Sequence, residues 1–410
     1  MSTAPAGTEL RRRGVPDRLV VVFSDIEMGA GGPYDDFPRS DFLAEIIRSY
    51  GQDPYRWLAV DLVFNGDTFD LLKTSTGGAW PTHITRDIAV AKMERIAAAH
   101  PAFFEALRDH VRDDPGRRRV FFVVGNHDME LLFPEVQALL RQRIDAPQNV
   151  HFPGLEMSIG RLHVEHGSQL DPLFMVDAAR PFITPKAGEP ILALSWAAVA
   201  LLEVAIPLQP LLYHHDRLKP KELVFELMPE VKELLTSELW TYWTRRYFQE
   251  LVSGDPIKTV SWTMIKELVR RLASWNPEIE LGEGPQRRMM ENEKFDVYLV
   301  GHQHEPGWWS HGNRKVLRTG CMRDEFMIVE RGRAQIAINK TWAEVYLHGD
   351  DVVRSQLIER VAPDRPAGTT PDSIFDVLPA VRERLASQRE VSDAQRAAQE
   401  AQEARERSHR

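Results

Sequence analysis

The sequence predicts an α/β fold with a mostly helical insertion and a charged C-terminal tail. Three observations predict it. From residue 17 to about 166, apolar runs of strand length alternate with amphipathic stretches of helical length. Five apolar runs, at 19–23, 60–64, 120–124, 162–164 and 297–300, each feed a short polar cluster. Between the fourth and fifth runs, residues 171–293 read mostly as helix.

Taken in order, helices are expected near 41–50, over 85–112 with a break at His100-Pro101, and over 129–143. The domain runs from 17 to 345 and is interrupted by the 171–293 insertion, because the fifth cluster must return to join the others. Asp255-Pro256 predicts a helix start, Asp suiting the N-cap and Pro the first turn. Residues 221–250 are amphipathic and unusually aromatic, with Trp240, Tyr242, Trp243, Tyr247 and Phe248. The stretch 191–208 is strongly apolar, its polar side chains being Ser195 and Glu203. It reads as a buried helix, as a lipid-facing or acyl-chain-binding surface, or as a membrane span. A span would separate two parts of one site. Pro207 and Pro210 are expected to end that helix. Short strands near 315–318, 325–329 and 334–338 would complete a sheet edge, and 366–410 reads as a charged helical or disordered tail.

Composition narrows the function. The chain has 410 residues, 43% hydrophobic and 27% charged, which fits a soluble globular protein. Its net charge of -9 argues against a nucleic-acid binder. A single cysteine, Cys321, excludes an intramolecular disulfide framework and a multi-cysteine zinc site. Residues 1–13 lack an apolar core of signal-peptide type, so the expected location is cytoplasmic, peripheral to a membrane if 191–208 touches lipid.

The five clusters carry the chemistry. They are Ser24-Asp25-Ile26-Glu27, Asn65-Gly66-Asp67-Thr68-Phe69-Asp70, Gly125-Asn126-His127-Asp128, Glu165-His166-Gly167 and Gly301-His302-Gln303-His304. Carboxylates, an amide and imidazoles delivered at strand ends can build a metal site from distant parts of a chain. Asp67 has two oxygens that can face two cations. Asn126 offers a neutral oxygen, and Asp128 is expected to hold the His127 imidazole as a general acid. His163 and His166 lie three apart on one strand and should face opposite ways; His166, at the strand end, is preferred. His214-His215-Asp216 is expected on a surface turn.

In this order the clusters resemble the motifs of the calcineurin-like metallophosphoesterase superfamily, over residues 20–319. The resemblance implies a four-layer α-β-β-α sandwich with two divalent ions at the strand ends. One ion would take Asp25, position 27, Asp67 and His304; the other would take Asp67, Asn126, His166 and His302. His127 and Asp128 match the family's catalytic pair. The departure is Glu27, where the family usually has histidine. A carboxylate there favours Mn or Fe/Mn, with Mg or Zn also accommodated. The implied activity is hydrolysis of phosphomonoesters or phosphodiesters by two-metal activation of water, with His127 as general acid. A lipid-linked phosphate or pyrophosphate held by the apolar insertion is the alternative substrate. A non-catalytic scaffold of the same fold is the second alternative.

Overall fold

The computed structural model describes residues 14–186, 188–274, 283–364, 371 and 373–390. Strands β1 (Arg18–Phe23), β2 (Ala59–Asn65), β3 (Arg118–Val123) and β4 (Val150–Gly154) run parallel in one sheet. A hairpin of Lys340–His348 and Asp351–Arg360 extends this sheet beyond β1 to six strands. In β1, Leu19, Val21 and Phe23 enter a core shared with Phe42 and Leu43 of helix Ser40–Ser49 and Phe103 of helix Pro101–Asp113. Val20 and Val22 enter a second core on the opposite face. A strand buried on both faces has no polar alternation, which is why β1 reads as one apolar run.

The second core lies between two sheets. Val20, Val22, Val63 and Val123 of the first pack with Val164, Val297 and Leu299 of the second. The second sheet is ordered Pro306–His311, Arg314–Thr319, Val297–Val300, β6 (Leu162–Glu165) and β5 (Glu156–Ile159). Its three central strands are parallel. Met289, from helix Glu283–Glu291, packs with Tyr298, Val300 and Val316 of this sheet. Parallel strands bring their C-terminal ends to one edge, the usual place for a ligand in α/β sheets. All five polar clusters follow such ends.

Between β6 and Val297–Val300 the chain is mostly helical. A continuous helical run spans Trp196–Asp216 and does not stop at Pro207 or Pro210. A wide π-helical turn at Leu201–Ala205 resets the hydrogen-bond register just ahead of Pro207, which therefore falls where a helix can begin. His214 and His215 are buried at the end of this run rather than on a surface turn. The expected helix start at Asp255 is replaced by a turn, in which the Asp255 carboxylate accepts from the Ile257 amide at 3.1 Å, and the helix begins at Trp262. The aromatic stretch divides into Lys221–Leu227, Pro229–Thr241 and Phe248–Ser253, the last two joined by a π-helical turn.

Strands Phe326–Val329 and Ala334–Ala337 do not complete a main sheet. They form a small sheet with Leu218–Lys219, since Phe326 and Ile328 are needed against Leu212 and Met228 of the insertion. Residues 378–390 are helical, and Val381 and Leu385 bury into the same cluster, so the start of the tail is docked. Residues 1–13 and 391–410 lie outside the described residues.

Candidate metal centre

The strand ends turn sharply. Asp25, Glu27, Asp67 and His302 have φ of 50°, 53°, 49° and 68°, four of the seven non-glycine residues with positive φ among those described. Such backbone costs about 1 kcal/mol or more per residue and needs support from its surroundings. The support is local: the amides of Ile26 and Glu27 both donate to the Asp67 carbonyl, at 2.9 and 2.8 Å, lacing β1 to β2. Two glycines give the room. A Cβ at Gly125 would run into the Asp67 carboxylate, and one at Gly301 into Ser24 Oγ.

Around Asp67 the ligating atoms of Asp67, His166 and His302 lie within 4.8 Å of one another. His166 Nε2 is 3.1 Å from Asp67 Oδ2 and 3.2 Å from Asn126 Oδ1. Its Nδ1 donates to the Asn65 carbonyl at 3.0 Å, which fixes the ring and leaves Nε2 to face the acids. His302 Nε2 is 3.5 Å from Asp171 Oδ2, and Arg271 pairs with Asp171 at 2.7 Å. Asp171 was not predicted from sequence, although it follows the His166-Gly167 cluster closely. The rejected candidate, His163, packs between the Phe295 and Tyr298 rings.

The other half gathers Asp25, Glu27 and His304. His304 Nε2 lies 3.7 Å from Asp25 Oδ1 and 3.6 Å from Glu27 Oε1, while its Nδ1 bonds Glu325 at 2.6 Å. Asp25 Oδ1 is buried and has no hydrogen-bond partner. Glu27 is paired with Arg323 and with Lys73, each at 2.8 Å. Burial alone would raise the Glu27 carboxyl, but Arg323 and Lys73 outweigh it and hold it well below the usual range. Asp25 has no such cation in contact, and burial pushes its carboxyl up. Lys73 also reaches Asp36 at 2.6 Å and Asp70 at 3.2 Å, and Arg323 reaches Asp216 at 3.0 Å. An unpartnered buried carboxylate oxygen facing an imidazole nitrogen and a second carboxylate is a donor set that suits a divalent cation. Both halves fit.

His127 sits beside this cluster, its amide donating to Asp67 Oδ1 at 2.7 Å. The expected His127–Asp128 pairing is not what the fold makes. His127 Nδ1 bonds Asp70 Oδ1 at 3.0 Å. Asp128 instead accepts from the amides of Gly125 at 2.7 Å and Thr68 at 2.8 Å, bracing two turns at once. Burial disfavours a charged His127, yet Glu27, Asp67 and Asp70 prevail and push the imidazole up to about 10. Burial, then the nearby Asp67 charge, pushes the Asp128 carboxyl up to about 7. Besides Asp171, sequence reasoning left out Lys73, Arg323, Glu325 and Asp70. Asp70 carried a signal, standing one turn after Asp67 in the same cluster.

No protein-family model matches the chain, nor does any curated protein. Solved structures give remote likenesses. Vacuolar Protein Sorting 29 from Cryptosporidium parvum aligns over 85% of this chain and 100% of its own, at 12% identity and a TM-score of 0.30. A predicted phosphoesterase from Streptococcus pneumoniae aligns over 83% and 97%, at 12% identity and a TM-score of 0.25. Phosphopantetheinyl Hydrolase from Mycobacterium tuberculosis aligns over 75% and 91%, at 12% identity and a TM-score of 0.26. The five ordered clusters, and the strand ends at which the fold gathers them, are what this chain shares with the calcineurin-like metallophosphoesterase superfamily, and by them it resembles that superfamily.

Proposed function

We propose that the chain is a metal-dependent hydrolase of phosphoric esters, acting on phosphomonoesters or phosphodiesters. One observation carries the reading. Asp67, His166 and His302 converge on one point, and Asp25 turns an unpartnered buried oxygen toward His304 beside it. Asp25, Glu27, Asp67 and His304 would hold one divalent ion, and Asp67, Asn126, His166 and His302 a second. Mn or Fe/Mn fits this mixture of carboxylate, amide and imidazole best, and Mg or Zn could replace them. When bound, such ions lower the pKa of water and offset charge on the phosphoryl oxygens.

The protein's own groups do the rest. Asp70 holds Nδ1 of His127, which leaves Nε2 as the free donor. As a water oxygen bonds to phosphorus and the ester P–O bond breaks, His127 gives its proton to the departing oxygen. Asp128 keeps Gly125 and Thr68 in place, and so keeps His127 and Asp67 in register. The α-β-β-α layering belongs to the same reading.

The test pairs elemental analysis of the purified protein with hydrolysis of p-nitrophenyl phosphate and bis-p-nitrophenyl phosphate, with and without Mn²⁺. Near two ions per chain and Mn²⁺-dependent turnover are expected. A chain that binds no divalent ion and turns over neither ester under any addition is a scaffold, not an enzyme.

A further inference from the structure

The insertion lines a half-open cavity of about 460 Å³. Its wall is mostly aliphatic: Leu201, Leu208 and Leu212 come from the Trp196–Asp216 run, and Val231, Leu235 and Leu239 from helix Pro229–Thr241. A concave, mostly apolar pocket of this size is typical of ligand sites. The Trp196–Asp216 run has a mean hydropathy of 1.5, and only 39% of its most apolar window is buried. Part of that apolar surface lines the cavity.

The cavity borders the metal centre. Four of its lining residues are each within two contacts of a candidate ligand. Lys73 bonds Glu27 at 2.8 Å. Phe174 stacks edge-on against His302 with ring centres 4.8 Å apart. Arg271 pairs with Asp171, which faces His302. Asp216 pairs with Arg323, which pairs with Glu27. Charge is therefore concentrated where the cavity meets the site, and the aliphatic wall begins beyond it.

The structure assigns this cavity to one acyl or alkyl chain of the substrate, whose phosphoester sits at the metal centre. The assignment rests on the hydrolase reading and narrows its substrate to an amphiphile. Leu, Val and Ala walls offer dispersion contacts without directional hydrogen bonds, which suits a saturated chain.

The experiment separates binding from turnover. Isothermal titration of the full chain would compare methyl phosphate with dodecyl phosphate below its micellar concentration. The dodecyl ester is expected to bind at least about 100-fold more tightly, well within the several-fold gain each buried methylene can give. Leu235→Trp, which fills the cavity from one wall, should erase that gain and leave methyl phosphate binding unchanged. Ala205→Leu, from the opposite wall, gives the same readout if the tryptophan misfolds. Equal affinity for the two esters overturns the assignment. So does a gain that survives both substitutions, because the chain would then lie on the surface, as on a membrane. Alkyl p-nitrophenyl phosphates of the same two lengths separate the two failures. Turnover with no chain-length effect leaves the hydrolase reading standing. Tight dodecyl binding without turnover of any ester retains the cavity and removes the hydrolase.

Discussion

The two halves of the candidate metal centre are built on the same strand-end geometry but place charge differently. Around Asp67 the supporting groups are mixed: the neutral Asn65 carbonyl on His166, and the Asp171–Arg271 ion pair behind His302. Around Glu27 they are charged, with Arg323 and Lys73 on the carboxylate and Glu325 behind His304. The Glu27 carboxylate is buried, and the cations beside it offset its negative charge. A buried carboxylate at a strand end thus depends on its neighbours. Glu27 should be read together with Arg323.

The largest expected effect comes from the residue both halves share. Asp67→Asn should remove both ions and reduce turnover to background, as elemental analysis and ester hydrolysis would show. Retention of one full ion would mean the halves are independent. Next, Glu27→His should take from Arg323 one of its carboxylate partners, leaving Asp216, and destabilise the fold by about 1–3 kcal/mol. Arg323→Met added to Glu27→His should recover part of this loss, with a coupling of about 1–3 kcal/mol in a double-mutant unfolding cycle. Additive losses would separate Glu27 from Arg323 and sink the paired reading.

Two smaller tests separate orientation from bracing. Asp70→Asn should slow esters with poor leaving groups by about 100-fold, while activated aryl esters lose far less. Asp128→Asn should instead lower stability by about 1–3 kcal/mol through two weakened buried amide bonds, and slow both ester classes alike. The opposite pattern would restore Asp128 as the partner of His127. Smallest is Ser24→Ala, which removes a hydroxyl that bonds the Asp25 carboxylate. A loss of about 1 kcal/mol, confined to ion binding in the Glu27 half, is expected by titration.

The five clusters were legible because strands buried on both faces leave unbroken apolar runs, and polar residues at their ends stand out. The Asp70–His127 pairing was hidden because adjacency in sequence favoured Asp128, while the turn after β3 sends the Asp128 carboxylate back to amides. Arg323 was missed because it lies outside all five clusters, and only folding brings it to Glu27. The closing hairpin at Lys340–Arg360 was missed for a different reason. Its last strand alternates buried positions such as Val352 with polar ones such as Arg354, so no apolar run marks it. Pro207 and Pro210 misled because a π-helical turn upstream absorbed what a regular helix could not.

The left-handed backbone at Asp25, Glu27, Asp67 and His302 has a consequence for selection. Glycine or asparagine at Asp25 or His302 would relax the main chain, each by an amount on the order of 1 kcal/mol, whereas at Glu27 or Asp67 a glycine would also break the Arg323 pair or the His127 amide bond. A natural domain stands only 5–15 kcal/mol above unfolding, so that gain is large enough to be noticed. Directed evolution for heat resistance alone, with no demand for activity, should therefore converge first on the Asp25 and His302 codons. The hardiest descendants of this protein would then be those that have lost two of its proposed ligands.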